Sequence, residues 1–370
     1  MKPHLVIDAH ALGGSGLERY TFEMVRGLAA RADFATIYLA GDPPVLEAWR
    51  HSLRESPTAL RIIPFTVGRH SPLIPLRWKN VAAAVGGKHI TWFPHWDGDW
   101  NAAPAVTTLH DLIPLSEPGV ANWAKGAVAR AWIRRMVERS HALVTVSEHS
   151  ATRICEVFPE AGSKLRVVHN GVANAFFQSG AVRPARAAIT GVATPYLLTV
   201  GNKRPHKRFE TAIRAFARLA HHQPALQLVM VGNRDPHAAA LRALADGLGI
   251  GARVHDVAAL ADDDLAAVYA NAEALLVTSR EEGFGLIGLE AMAAGTPVVA
   301  VNREPFPEVL GHAAMFVPYD DDAAMAAAIQ TLNTATSENL IAQGKARAAA
   351  FTWQRAADQV AELLLASNSR

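Results

Sequence analysis

Short runs of Val, Ile and Leu alternate along the chain with alanine-rich stretches of helical periodicity. This is the pattern of an open parallel sheet with helices on both faces. In the first half it predicts buried strands at His4–Asp8, Thr36–Ala40, His89–Phe93, Ala105–Leu109, Leu143–Val146 and Leu165–Val168. The pattern breaks over 173–194, where Gly180, Pro184 and Gly191 interrupt the chain. A second series then predicts strands at Tyr196–Val200, Leu226–Val231, Val254–Val257, Ala274–Val277 and Val298–Ala300. Two doubly wound α/β domains are therefore expected, at 1–172 and 195–350, joined by a linker at 173–194. A last amphipathic segment, Thr352–Leu365, begins beside Trp353 and predicts a terminal helix within 351–370.

Composition narrows the class. The 370 residues are 50% hydrophobic and 19% charged, with 36 basic against 34 acidic side chains. That length supports two cores, and the near-neutral balance argues against a disordered acidic chain or a nucleic-acid binder with a broad basic field. Cys155 stands alone, so neither a disulfide framework nor a cysteine-based zinc site is available, which fits a reducing cytosol. The opening MKPHLVIDAH has no secretory apolar core, and no run approaches the roughly twenty apolar residues that span a bilayer. A soluble cytoplasmic protein is expected.

Three segments carry candidate chemistry. Gly13-Gly14-Ser15-Gly16 follows the first strand and precedes a helix, so backbone N–H groups at that helix start are open to a phosphate or a sugar. Arg19 stands where a dinucleotide fingerprint needs its third glycine, and a ligand-free turn explains these glycines equally well. In the second domain, Val200-Gly201 runs into Asn202-Lys203-Arg204-Pro205-His206-Lys207-Arg208. Cations crowded at the carboxyl end of a first strand lie where an open α/β sheet binds its ligand, and a diphosphate would relieve their repulsion. No Walker-type glycine loop precedes Lys207, which disfavours ATP-driven chemistry. A solvated basic loop is the alternative.

The third segment holds Glu282 and Glu290. Gly283 and Gly285 predict a turn and Gly295 a helix C-cap, which places Glu282 just before a short helix and Glu290 inside it. In a continuous helix, eight residues span about 12 Å. That exceeds the roughly 5 to 9.5 Å at which paired carboxylates hydrolyse glycosides. Two carboxylates at different depths suit instead a ligand with two sets of hydroxyls, and the helix start between them suits a phosphate.

From Glu282 to Val298 the chain reads E-G-F-G…E-A-M-A-x-G-x-P-V, which resembles the retaining, nucleotide-sugar-dependent glycosyltransferases of the GT-B fold, family 4. The resemblance extends to Glu18-Arg19-Tyr20, Leu109-His110-Asp111-Leu112-Ile113-Pro114, Val146-Ser147-Glu148, Val168–Val172 and Val200–Lys207. It implies two Rossmann-like domains facing across a cleft, the C-terminal helix crossing back to the N-terminal domain. It also implies roles. Glu290 would bind the ribose hydroxyls, Glu282 would lie by the donor sugar, and Lys207 would hold the diphosphate. Gly283, Phe284, Gly285 and Leu286 would line the donor, and Gly14 and Gly16 would face it from the other domain. His110 matches the family histidine beside the reacting centre, the alternative being a histidine packed at a strand end. Asn202 occupies a place often taken by arginine, which leaves Lys203 or Arg204 to supply the second cation.

The same resemblance implies a metal-independent hexosyltransferase, with front-face substitution, the leaving phosphate helping to deprotonate the acceptor, and no cofactor beyond the nucleotide sugar. GDP-mannose is the favoured donor, because the Asp8…Gly-Ser-Gly-Leu-Glu-Arg-Tyr and His-Asp-Leu-Ile-Pro stretches look like mannosyltransferase relatives; a UDP-sugar is the alternative. The acceptor would be a saccharide or polyprenyl-linked saccharide of polysaccharide or glycolipid biosynthesis. Trp96, Asp97 and Trp100 lie in an aromatic strand-end loop suited to stacking on a sugar, or to simple local packing. The stretch Asn122–Arg139, with Arg130, Arg134 and Arg135 on one side, suits an anionic membrane at the inner face of the cell, or an ordinary surface position. Two other classes compete. A nicotinamide-dependent oxidoreductase would use the first glycine turn and Asp42 but leaves the basic loop and spaced glutamates unexplained. A non-catalytic nucleotide-sugar or glycan binder is encouraged only by Asn202.

Overall fold

The computed structural model describes residues 2–10, 12, 16–102, 104–116, 123–178, 192, 194–233 and 236–368. The chain divides into two units, one of residues 1–171 with 352–370 and the other of residues 172–351.

The first unit is built on a wholly parallel sheet of β1 (His4–Ala9), β2 (Thr36–Gly41), β3 (Ala59–Pro64), β4 (His89–Phe93), β5 (Ala105–Thr108), β6 (Ala142–Thr145) and β7 (Leu165–Val167). Its order is β3-β2-β1-β4-β5-β6-β7. The second unit repeats the plan with β8 (Tyr196–Val200), β9 (Gln227–Val231), β10 (Val254–Val257), β11 (Ala274–Val277), β12 (Val298–Val301) and β13 (Met315–Val317), in the parallel order β10-β9-β8-β11-β12-β13. Each chain segment thus starts mid-sheet, winds to one edge, and returns to continue on the other side of its first strand. That reversal leaves a crevice at the carboxyl ends of β1 and β4, and another at those of β8 and β11.

Central strands such as β11 and β12 are buried along their whole length, which is why they read as unbroken apolar runs. Two edge strands escape that pattern. β3 carries Arg61, ends on Pro64 and is half exposed, while β13 is only three residues long. Within the stretch assigned to the linker, Asn174–Phe177 forms one helical turn; residues 179–191 and 193 lie outside the described residues.

The first helix, Gly16–Ala30, buries Tyr20, Met24, Val25 and Leu28. It packs on the last helix, Trp353–Ser367, which buries Trp353, Ala357, Val360 and Leu364 and is capped by Thr352, whose hydroxyl accepts from the Arg355 N–H at 3.2 Å. A Cβ on Gly27 would come within 2.5 Å of the Ala357 Cβ, so this contact is made at backbone distance. Arg31 bonds Asp358 across the same seam. The terminal helix therefore belongs to the first unit, as the family resemblance implies. No helix among the described residues is long and apolar enough to cross a membrane.

Candidate functional site

The second unit's crevice gathers the basic loop and the spaced glutamates. Gly201 and Gly232 have φ of 142° and 152°, and a Cβ on Gly232 would lie 1.9 Å from the Gly201 carbonyl oxygen, so the ends of β8 and β9 touch through bare backbone. The chain then folds into a 3-10 turn at Pro205–Lys207. This turn is fastened to the segment after β11: the Thr278 hydroxyl donates to the Lys207 carbonyl at 2.8 Å, and the Arg280 N–H donates to that of His206 at 2.7 Å. Lys207 is thereby aimed at Glu282, with Nζ 2.5 Å from Oε1. Ser279 donates to the same oxygen at 2.8 Å. Both side chains of the pair stay partly accessible. An ammonium has three N–H donors, so the bond to Glu282 leaves capacity for phosphoryl oxygens.

The helix Leu286–Ala294 opens on Gly285, whose φ is 88°, and closes on Gly295, whose φ is 84°. At Gly285 a Cβ would meet the Phe306 ring at 2.8 Å. Glu282 lies before this helix and Glu290 within it, as the sequence predicts. Glu290 is 1% exposed, and its Oε2 accepts from the Tyr269 hydroxyl at 3.1 Å. Gly283 is buried and Leu286 half-buried at the helix start. Phe284 is turned inward against Phe351, leaving its backbone to serve a ligand. Nothing in the sequence pattern flags Tyr269, whereas Ser279, three residues before Glu282, is a local signal that sequence reasoning passed over.

Lys203 requires a correction. Expected as a donor-binding cation, it is fully buried, with Nζ 2.8 Å from Asp256 Oδ1 and donating to the Gly232 carbonyl at 2.9 Å. An internal ammonium must be surrounded by oxygens, and these fix Lys203 as a clamp on the ends of β9 and β10. Arg208, in the left-handed region at φ 52°, gives Nη2 to both Asp320 oxygens at 2.6 and 2.5 Å. Of the two candidates for the second cation, Arg204 is the exposed one.

In the first unit His110 follows β5. Its Nε2–H donates to the Pro94 carbonyl at 2.8 Å, and Tyr20 meets the ring edge-on at 4.5 Å. Burial, then the nearby His95, lowers the imidazole to about 4 against the opposing effect of the Pro94 bond. The ring is therefore neutral at neutral pH, with Nδ1 as an acceptor. Gly16 opens the first helix with nothing within 4 Å of where a Cβ would stand; Gly14 lies outside the described residues.

In the aromatic loop the side chains make local packing contacts. Trp96 is buried with its face covered by His70 at 4.7 Å, and Trp100 meets Trp132 edge-on at 4.9 Å. Trp132 in turn donates to the Gly98 carbonyl at 3.1 Å. Trp96 is thus stacked within the loop region, and Trp100 joins the loop to the helix Trp123–Arg139 through Trp132. That helix buries Trp132, Ile133, Met136 and Val137, while Val128 is 62% exposed. Arg134 and Arg135 lie 3.8 and 3.4 Å from Glu160 and Glu138, so its basic face is partly neutralised within the unit; Asn122 lies outside the described residues. Asp97 differs from its neighbours: a carboxylate 1% exposed among His10, Arg69, His70 and His95. Among the described residues no group of three or more His, Cys, Asp or Glu is arranged to hold a metal ion.

Comparison with known proteins bears on this geometry. Residues 14–176 match the family described as Glycosyltransferase Family 4, and residues 189–347 match Glycosyl transferases group 1. Over 273 residues the chain is 32% identical to the MMP alpha-(1->4)-mannosyltransferase of Mycolicibacterium hassiacum, covering 69% of this chain and 64% of that protein. It is 29% identical over 271 residues to the D-inositol 3-phosphate glycosyltransferase of Acidothermus cellulolyticus, covering 70% and 60%. The matched chain thus spans less than two thirds of these curated relatives. In fold it is similar to HepE of Anabaena, solved with UDP and glucose, at a TM-score of 0.77 and 20% identity, covering 98% of this chain and 100% of that one.

Proposed function

Because the chain belongs to the family 4 glycosyltransferases, of GT-B fold, we propose that it moves a hexose from a nucleotide sugar to a saccharide or lipid-linked saccharide in polysaccharide or glycolipid biosynthesis. The observation that carries this reading is the juxtaposition of Lys207, Glu282 and the helix bearing Glu290 at the crevice of β8 and β11. Charge grows on the leaving diphosphate as the anomeric carbon becomes oxocarbenium-like. Lys207, Arg204 and the N–H groups at the start of the helix Leu286–Ala294 supply fixed positive potential for it. Glu290, oriented by Tyr269, takes the ribose hydroxyls, and neutral His110 binds the sugar through Nδ1. Glu282 already accepts from Lys207 and Ser279, which suits a carboxylate that positions the sugar and the lysine rather than a nucleophile, and supports front-face substitution with retention.

GDP-mannose is the favoured donor, supported by the mannosyltransferase relative; a UDP-sugar is the alternative, supported by the ligand of HepE. A thermal-shift panel of GDP-, UDP-, ADP- and TDP-sugars tests this, since a cognate donor raises the melting temperature. A rise with the GDP-sugar alone is expected; no rise with any of the four contradicts the reading. Transfer is also proposed to need no divalent metal, with full activity expected in excess chelator. Loss restored by magnesium would refute that.

Work at the inner face of the cytoplasmic membrane belongs to the same proposal, with its contact at the start of the helix Ile74–Val85 rather than on the helix Trp123–Arg139. There Leu73 and Leu76 are 46% and 65% exposed. They are flanked by Arg69, Arg77 and Lys79, within a stretch from 56 to 96 that has no acidic residue. Exposed leucines flanked by cations match an anionic bilayer surface. Wild type and an Arg130/Arg134/Arg135 alanine variant are both expected to sediment with phosphatidylglycerol vesicles, and a Leu73→Ser, Leu76→Ser variant is not. Failure of wild type to bind, or equal binding by the leucine variant, removes the assignment.

A further inference from the structure

The first unit has its own strand-order reversal, at the carboxyl ends of β1 and β4, and no role in binding the nucleotide accounts for the side chains gathered there. His10, one residue beyond β1, gives its Nδ1–H to Asp8 Oδ1 at 2.6 Å, and its backbone N–H shares that oxygen at 3.1 Å. The opposite ring nitrogen, Nε2, lies 4.0 Å from Asp97 Oδ2, beyond hydrogen-bond range. Asp97 is held from its other side, where Oδ1 accepts from His95 Nδ1 at 2.7 Å. Arg69 Nε and His70 Nδ1 stand 3.5 and 3.4 Å from Oδ2 without forming a hydrogen bond to it. Both facing side chains are 1% exposed. Among the described residues neither His10 Nε2 nor Asp97 Oδ2 has a hydrogen-bond partner. They line one small cavity with Leu17, Thr21 and Pro94.

A buried donor facing a buried acceptor across such a gap is costly unless something joins them. An oxygen about 2.8 Å from each would subtend roughly 90° between them, close to the spread between a hydroxyl's O–H and its lone pairs. An ammonium would be repelled by protonated His10, and a carboxylate or phosphate by Asp97; a hydroxyl both accepts and donates. We propose that His10 and Asp97 hold one hydroxyl of a polyol acceptor, His10 Nε2–H donating to its oxygen and that hydroxyl donating to Asp97 Oδ2. This inference rests on the transferase reading above and names the acceptor class of the first unit.

The charges of the two residues suit an anchor. Burial alone would lower the His10 imidazole, but Asp8 and then Asp97 outweigh it and push the ring up to about 9. Burial alone would raise the Asp97 carboxyl, but His95, His10 and Arg69 outweigh it and hold it well below the ordinary carboxylate range. So weak a base orients a hydroxyl without deprotonating it. The reacting hydroxyl is then a different one, and the acceptor carries at least two.

Saturation-transfer NMR tests this with three probes, methyl α-D-mannopyranoside, methyl α-D-glucopyranoside and myo-inositol, on wild type, His10→Gln and Asp97→Asn. At least one probe is expected to give a signal with wild type that falls tenfold or more in both variants, while the thermal shift caused by GDP or UDP is unchanged. No signal with any probe in wild type, or a signal retained in both variants, overturns the proposal. Should either variant fail to fold, the His10 imidazole 15N resonances of wild type decide: they are expected to move on adding the bound probe, and resonances that stay put overturn it. Loss of the nucleotide shift in wild type with the probe signal intact would instead strike the donor reading alone.

Discussion

His10 and His110 follow β1 and β5, which lie either side of β4 in one sheet, yet their surroundings drive them in opposite directions. Burial and His95 hold His110 down at about 4, and the carboxylates of Asp8 and Asp97 hold His10 up at about 9 despite burial. Between pH 6.5 and 4 the unfolded chain binds a proton at His110 that the native state refuses, so stability falls as the pH drops through that window. Between pH 6.5 and 9 the native state keeps a proton on His10 that the unfolded chain releases, so a contribution fully present below 6.5 is lost as the pH rises. Melting temperature against pH should therefore decline on both sides of pH 6.5. His110→Asn, whose amide can still donate to Pro94, should flatten the acid limb, and His10→Gln the alkaline limb. Unaltered limbs would show that these environments are misjudged. Neither environment is legible in the sequence: the His-Asp-Leu-Ile-Pro context singles out His110, but Asp97 reaches His10 only because β1 and β4 are adjacent in the sheet.

At the scale of elements, the helix Leu286–Ala294 shows what sequence can and cannot deliver. Its limits follow from Gly285 and Gly295, which occupy left-handed conformations at either end, and with them the placement of Glu282 and Glu290. Gly285→Ala combines a strained φ with a contact on Phe306, and should cost about 1 to 3 kcal/mol in urea unfolding. It should also abolish the thermal shift by nucleotide, because the loop carrying Glu282 moves with the helix start; an unchanged unfolding midpoint would refute the strain argument. The basic loop was harder to read. Seven residues crowded with charge look equivalent in sequence, yet the 3-10 turn buries Lys203 on Asp256, pairs Arg208 with Asp320, and turns Lys207 to Glu282. Strands β3 and β13 are not legible because edge strands need no continuous apolar run, and the sequence leaves the tryptophans of the loop after β4 open between sugar stacking and local packing because the rings that meet them, His70 and Trp132, are distant in sequence.

For the whole molecule, the two units share one logic. Each winds a parallel sheet outward from its first strand and back, and each concentrates its unusual polar groups where that order reverses: His10 and Asp97 in one, Lys207 and Glu282 in the other. Alternating apolar runs predict eleven of the thirteen described strands, and the return of the terminal helix to the first unit, which the family resemblance implies, is made by its apolar face packing against Gly27. The central claim is that the second unit's crevice binds a nucleoside diphosphate through Lys207. Calorimetric titration of GDP and UDP into wild type and Lys207→Ala tests it most directly. Binding of one nucleotide by wild type, weakened about 10- to 100-fold in the variant, is the expected result for loss of one charged hydrogen-bond donor to phosphate. Equal affinity in the two proteins, or no binding of either nucleotide to wild type, would contradict it.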